Sequence, residues 1–96
     1  MDVFRYKNQE LSINEELSWR DVGNDLVTLN TSSGEYFTFN PIGRTIWLSI
    51  AEGKAMDQLV ENIALEYEVE KTKVQADIEI FIDKLIEGGL IVSLPH

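Results

Sequence analysis

The chain has no cysteine, one histidine, two prolines and no apolar run long enough to cross a membrane. Without cysteine there is no disulfide framework, thiolate zinc site, iron–sulfur ligation or cysteine nucleophile, and the redox compartment is left open. The single histidine, His96, is the last residue, a poor place for a triad base or a metal ligand. Two prolines in 96 residues argue against a linker. The N-terminus Met1-Asp2-Val3-Phe4-Arg5-Tyr6-Lys7 lacks the apolar stretch of a secretory signal, so the expected location is the cytoplasm, with no membrane partner. Positive charge is also scarce, with 8 Lys and Arg against 17 Asp and Glu for a net charge of −9. Nucleic-acid affinity rests on Lys and Arg neutralising phosphates, so the sign is wrong for that function. The deficit is uneven: residues 49–96 hold four basic and ten acidic residues, residues 1–48 four and seven.

What is present fits a single globular domain over 1–96 with its core at about 15–94, 44% apolar and 26% charged. A chain of this length buries only about 60 to 65% of its unfolded surface, which leaves little room for an internal active-site cavity. Residues 1–16 are polar and weakly patterned, an extended lead-in able to pack Phe4 or Tyr6 on the domain. From Leu17 onward, short stretches rich in Val, Thr, Leu and aromatics are separated by Gly23-Asn24 and Thr31-Ser32-Ser33-Gly34, the pattern of a three-stranded antiparallel meander ending in Tyr36-Phe37-Thr38-Phe39. Asn40-Pro41 then pairs a good N-cap with a residue suited to the first helical position. A helix follows to about residue 52, with Ile42, Ile46, Trp47 and Ile50 on its apolar side. Apolar spacings of three and four define a second helix over about 55–67 and a third over about 71–87. Leu90-Ile91-Val92-Ser93-Leu94 reads as a short final strand. The expected class is α+β: a three-stranded antiparallel sheet, three helices and a C-terminal strand, compatible with a winged helix-turn-helix.

Reactive constellations are missing. No Gly-rich loop precedes a helix, no serine has a histidine to activate it, and the clustered carboxylates lack calcium-loop spacing and read as a solvated acidic face. No catalytic residue, metal ligand or cofactor is assigned, and the chain is not expected to be an enzyme. Trp19, Phe39 and Trp47 read as core. Tyr36 and Thr38 lie opposite Phe37 and Phe39 on their strand, so one of the two faces must point outward. On the third helix, Ile78, Phe81 and Leu85 fall within about 40° of Val74, whereas Ile80 falls near 240°, beside Lys73, Asp77 and Lys84. Ile80 is then either a lone exposed isoleucine or an apolar spot on a partner-binding face flanked by charges. If the third strand is an edge, that face borders unpaired backbone groups able to accept an added peptide strand.

Several runs carry a family resemblance: Leu-Ser-Trp-Arg at 17–20, Val-Thr-Leu-Asn at 27–30, the segment from Ser33 through Phe39-Asn40-Pro41 to Ile46-Trp47, Tyr-Glu-Val at 67–69, and the series Asp77, Phe81, Leu85, Gly89-Leu90-Ile91. Over about residues 15–92 the chain resembles the PqqD family, named for coenzyme pyrroloquinoline quinone (PQQ) synthesis protein D. The resemblance implies a winged-helix-like recognition element for ribosomally made, post-translationally modified peptides. Such a domain binds the leader segment of a precursor peptide as a strand beside the third strand and against the third helix, and presents it to a modifying enzyme. Carried onto this sequence, the leader site comprises Tyr36, Phe37, Thr38 and Phe39 of the strand with Lys73, Val74, Asp77, Ile80, Phe81 and Lys84 of the helix. Ala55 departs from the Ser or Thr usual ahead of the second helix, a lost cap worth about 1 kcal/mol. The implied partners are the precursor's leader peptide and a separate enzyme, a radical SAM maturase or a leader peptidase as in lasso-peptide synthesis. The oligomeric state, monomer or homodimer, is left open, since an edge that accepts a peptide can accept a second copy of the chain. The rival function is a winged-helix DNA-binding regulator, disfavoured because Glu70, Asp77, Glu79, Asp83 and Glu87 outnumber the three lysines of the third helix.

Overall fold

The computed structural model describes residues 4–7, 9–23 and 25–95. His96 and Asn24, named above, lie outside them. In chain order the elements are β1 (Gln9–Ile13), β2 (Leu17–Asp21), β3 (Leu26–Asn30), β4 (Tyr36–Phe39), α1 (Pro41–Ala51), α2 (Met56–Tyr67), α3 (Lys71–Glu87) and β5 (Ile91–Pro95). The expected meander is β2-β3-β4, with β3 in the middle, and the three helices follow as anticipated.

Local chemistry accounts for some of the junctions. In the β3–β4 turn, Asn30 accepts from Ser32 N and Ser33 N through Oδ1 and from Gly34 N through its carbonyl, and Gly34 takes the positive φ of 78° that the reversal needs. Asn40 caps α1: its Oδ1 accepts from Gly43 N at 2.8 Å, and Pro41 opens the helix. Neither α2 nor α3 has a side-chain N-cap, at Ala55 and Glu70 respectively. α2 ends on Glu68 in the left-handed region at φ 54°, a position more often filled by glycine.

The lead-in is more organised than its sequence pattern suggests. Gln9–Ile13 pairs antiparallel with Ile91–Pro95, from Ile13 opposite Ile91 to Gln9 opposite Pro95, and forms a second, two-stranded sheet. Phe4 and Tyr6 are buried with the core as expected. β1 escapes detection because its stabilising partner lies at the other end of the chain, while its own five residues hold just two apolar side chains.

The core lies between the inner face of the β2-β3-β4 sheet and the three helices. Leu26 and Thr28 of β3 face inward, against Trp47 of α1, Val60 of α2 and Ile78 and Ile82 of α3, all at 2% exposure or less. Burial of each large aliphatic contributes about 1.5–3 kcal/mol. Two expected core residues sit at the margin. Trp19 is 37% exposed, its ring meeting Trp47 edge-on at 6.1 Å, because β2 is an edge strand with no neighbour on its outer side among the described residues. Ile42 is 41% exposed because it opens onto a hollow between α1, α2 and α3 and not onto the core.

Candidate functional site

β4 pairs with β3 alone among the described residues, so its other edge is open. Asn30 N donates to Glu35 O at 2.8 Å, which makes Asn30–Glu35 a hydrogen-bonded pair. Bonded and non-bonded pairs alternate in an antiparallel ladder, so Thr28–Phe37 and Leu26–Phe39 are the next bonded pairs. Phe37 and Phe39 therefore spend their backbone groups on β3. The N–H and C=O groups of Tyr36 and Thr38 point away from the sheet. The segment carries no charge and no proline, the usual devices that blunt an open edge. Side-chain alternation leaves Tyr36 and Thr38 exposed, Tyr36 at 71%, and Phe37 and Phe39 half-buried.

α3 meets β4 at the strand's C-terminal end. Phe39 stacks on Trp47 with ring centroids 5.4 Å apart and meets Phe81 of α3 edge-on at 5.7 Å. This aromatic chain fixes the distance from strand to helix. Gly43 lets α1 approach at the same point: a Cβ there would stand 3.2 Å from Phe39 Cβ, Asn40 Oδ1 and Phe81 Cζ. A mainly apolar hollow of about 450 Å³ opens between the first turn of α1, the end of α2 and the first half of α3. Ile42, Tyr67, Val69, Val74 and Phe81 contribute its apolar walls, and Lys73 and Asp77, paired at 3.5 Å, stand at its mouth.

The structure thus brings Lys73, Val74, Asp77 and Phe81 together around one hollow, and Phe39 reaches it only through its ring contact with Phe81. Tyr36, Phe37 and Thr38 run along the adjoining edge. Ile80 and Lys84 do not line the hollow but share with Lys73, Val74, Asp77 and Phe81 an arc of α3 about 120° wide. Ile80 is 55% exposed, off the buried stripe of Val74, Ile78, Ile82 and Leu85 as its helical angle required. Sequence reasoning missed Ile42, Gly43, Tyr67 and Val69. They belong to α1, α2 and the loop after it, and periodicity along one helix cannot separate a core position from one at the lip of an interhelical hollow.

The ionic features lie elsewhere. Arg5 and Tyr6 both bond Asp83, and Arg5 N donates to Glu79, which fastens the N-terminal segment to a face of α3 turned away from the hollow. The hydrogen bond from Arg5, then that from Tyr6, holds the Asp83 carboxyl below its usual range. Burial, then the bond to Asp83, pushes the Tyr6 phenol up to about 12. Arg44 grips Asp21 with two bonds of 2.7 Å, tying α1 to the end of β2 and lowering the Asp21 carboxyl. Among the described residues, no three His, Cys, Asp or Glu are grouped to hold a metal, and no helix is long and apolar enough to cross a membrane. The hollow offers aromatic and aliphatic surface next to backbone donors and acceptors, which suits binding of an extended peptide.

These features define a small winged-helix-like α+β domain with an open strand edge set beside its last helix. The chain belongs to the PqqD family: residues 25–91 match the family of coenzyme PQQ synthesis protein D. Two solved structures are similar over most of their length. One is TbiB1 in complex with the TbiA(beta) leader peptide, 28% identical, with a TM-score of 0.78 over 83% of this chain and 93% of that one. Another is a lasso peptide synthetase B1 complexed with the leader peptide, also 28% identical, with a TM-score of 0.81 over 86% of this chain and 98% of that one. No curated protein matches the chain.

Proposed function

We infer that this protein is a non-catalytic adaptor that binds the leader segment of a ribosomally made precursor peptide and presents it to a separate modifying enzyme. The carrying observation is the uncharged, unpaired β4 edge, whose last residue, Phe39, packs on Phe81 in the wall of the apolar hollow. An extended leader adds beside β4, its backbone bonding the outward groups of Tyr36 and Thr38. Its alternate side chains pack toward Phe39, Val74, Ile80 and Phe81, with Lys73, Asp77 and Lys84 placed to read charge at the rim. Support also comes from the two similar domains, each described in complex with a leader peptide. Those relatives favour a lasso-peptide setting, with a leader peptidase as the enzyme served, over a radical SAM maturase.

Fluorescence anisotropy with the labelled leader of the precursor encoded beside this chain's gene tests the reading. Saturable binding that weakens at least about fivefold on Ile80→Asp supports it. Absence of binding by that leader, with the fold intact, removes it.

A further inference from the structure

Among the described residues, a second pair of open edges lies away from the β4 groove. Asn14 N donates to Leu90 O at 3.0 Å, which sets the alternation along β1 and turns the N–H and C=O groups of Leu11 and Ile13 away from β5. On β2, the bond from Val22 N to Asp25 O at 2.9 Å makes Arg20–Val27 and Ser18–Leu29 the bonded pairs. The backbone groups of Trp19 therefore also face an open edge. Leu17 N–H is already taken by Asn14 O at 3.1 Å.

β1 and β2 diverge from the corner at residues 14–16, and a cleft of about 510 Å³ lies between them, floored by Ile50 and Ala51 at the end of α1. Leu11, Ile13 and Leu17 give it apolar walls, and the partly exposed indole of Trp19 closes one side. Its rim is electronegative. Glu15 and Glu52 stand there, and α1 points its C-terminal dipole at the cleft with no basic residue in its last turn. Lys54 offsets Glu52 at 3.0 Å, which leaves Glu15 and the helix end. A cation beside an exposed tryptophan face gains a further attraction.

We propose that the cleft between β1 and β2 docks an extended segment of the modifying enzyme, one with an apolar side chain for the Trp19 wall and an Arg or Lys for the rim. This rests on the adaptor reading, which requires an enzyme to be held while the β4 edge is occupied by leader. A strand in this cleft bonds to Leu11 and Ile13 on one side and to Trp19 on the other, and joins the two sheets without touching the leader groove.

The test is amide hydrogen exchange on the full chain, mixed with the purified modifying enzyme encoded beside its gene or with the leader alone. With enzyme, the amides of Leu11, Ile13 and Trp19 slow, and those of Tyr36 and Thr38 do not. Glu15→Lys combined with Glu52→Lys, both exposed positions, weakens enzyme binding about tenfold and leaves leader affinity within about twofold. The proposal is overturned if the enzyme fails to bind or leaves those three amides unchanged. Slowing of the same amides by leader alone overturns it too, as does slowing by raised concentration of this chain alone, which would assign the cleft to a second copy. Failure of the leader to bind the unmodified chain instead removes the adaptor reading.

Discussion

Thr38→Pro isolates the strand edge from the rest of the groove. The alternation set by the Asn30–Glu35 bond turns the Thr38 N–H away from β3, so proline at 38 deletes a donor that the native ladder does not use. Proline is tolerated on an edge strand when its missing N–H faces outward, and its preference for an extended preceding residue suits Phe37 in β4. Folding stability therefore falls by no more than about 1 kcal/mol. For the leader, the variant removes one backbone bond, and the ring obstructs the approach needed for the neighbouring bond to the Thr38 carbonyl. Each such bond is worth about 0.5–1.5 kcal/mol net, so the loss is about 1–3 kcal/mol, or roughly 5- to 150-fold in affinity. Phe37→Pro is the matched control, because it deletes an inward N–H and strands an acceptor on Thr28, costing about 1–3 kcal/mol of stability. Anisotropy with labelled leader and urea denaturation read the two effects separately. If Thr38→Pro keeps leader affinity within twofold while the chain stays folded, strand addition at this edge is refuted.

Ile80→Asp, at an exposed position, changes stability by about 0.5 kcal/mol or less but weakens leader binding at least about fivefold. A large drop in urea midpoint would show Ile80 to be core. Asn40→Ala removes the cap of α1 and costs about 1 kcal/mol, which lowers Tm by about 4–8 °C in a domain of this size. An unchanged Tm contradicts the cap. Tyr6 titrates near 12 in the folded chain against 10 when unfolded, so folding favours its neutral form. Its stabilising contribution is complete below pH 10 and is lost as pH rises toward 12. Tyr6→Phe removes that alkaline loss, and denaturant midpoints of the two proteins that run parallel across this window contradict the assignment. Asp83 runs the opposite way: its depressed carboxyl stabilises above the ordinary aspartate range, and the benefit disappears as pH falls through its folded value.

Local signals made most of this fold legible. Asn40-Pro41 marked the start of α1, the spacings of three and four traced all three helices, and alternation separated Tyr36 and Thr38 from Phe37 and Phe39. The angular offset of Ile80 survives as real exposure because a single helix carries that information by itself. What escaped depends on partners remote in sequence. β1 exists because β5 completes it, and Trp19 is half-covered because β2 ends the sheet, neither of which five residues can announce. The hollow was half legible for the same reason. Its α3 wall follows from periodicity, while Ile42, Gly43 and Tyr67 enter it through the packing of α1 and α2.

The central claim is that a leader peptide completes the β4 edge. Residue-resolved amide exchange on the chain alone and with saturating leader tests it most directly. Tyr36 and Thr38 should exchange freely in the unbound chain and slow strongly when leader is added, while Phe37 and Phe39 are protected in both states. Leader binding that leaves Tyr36 and Thr38 as fast as before would contradict the account.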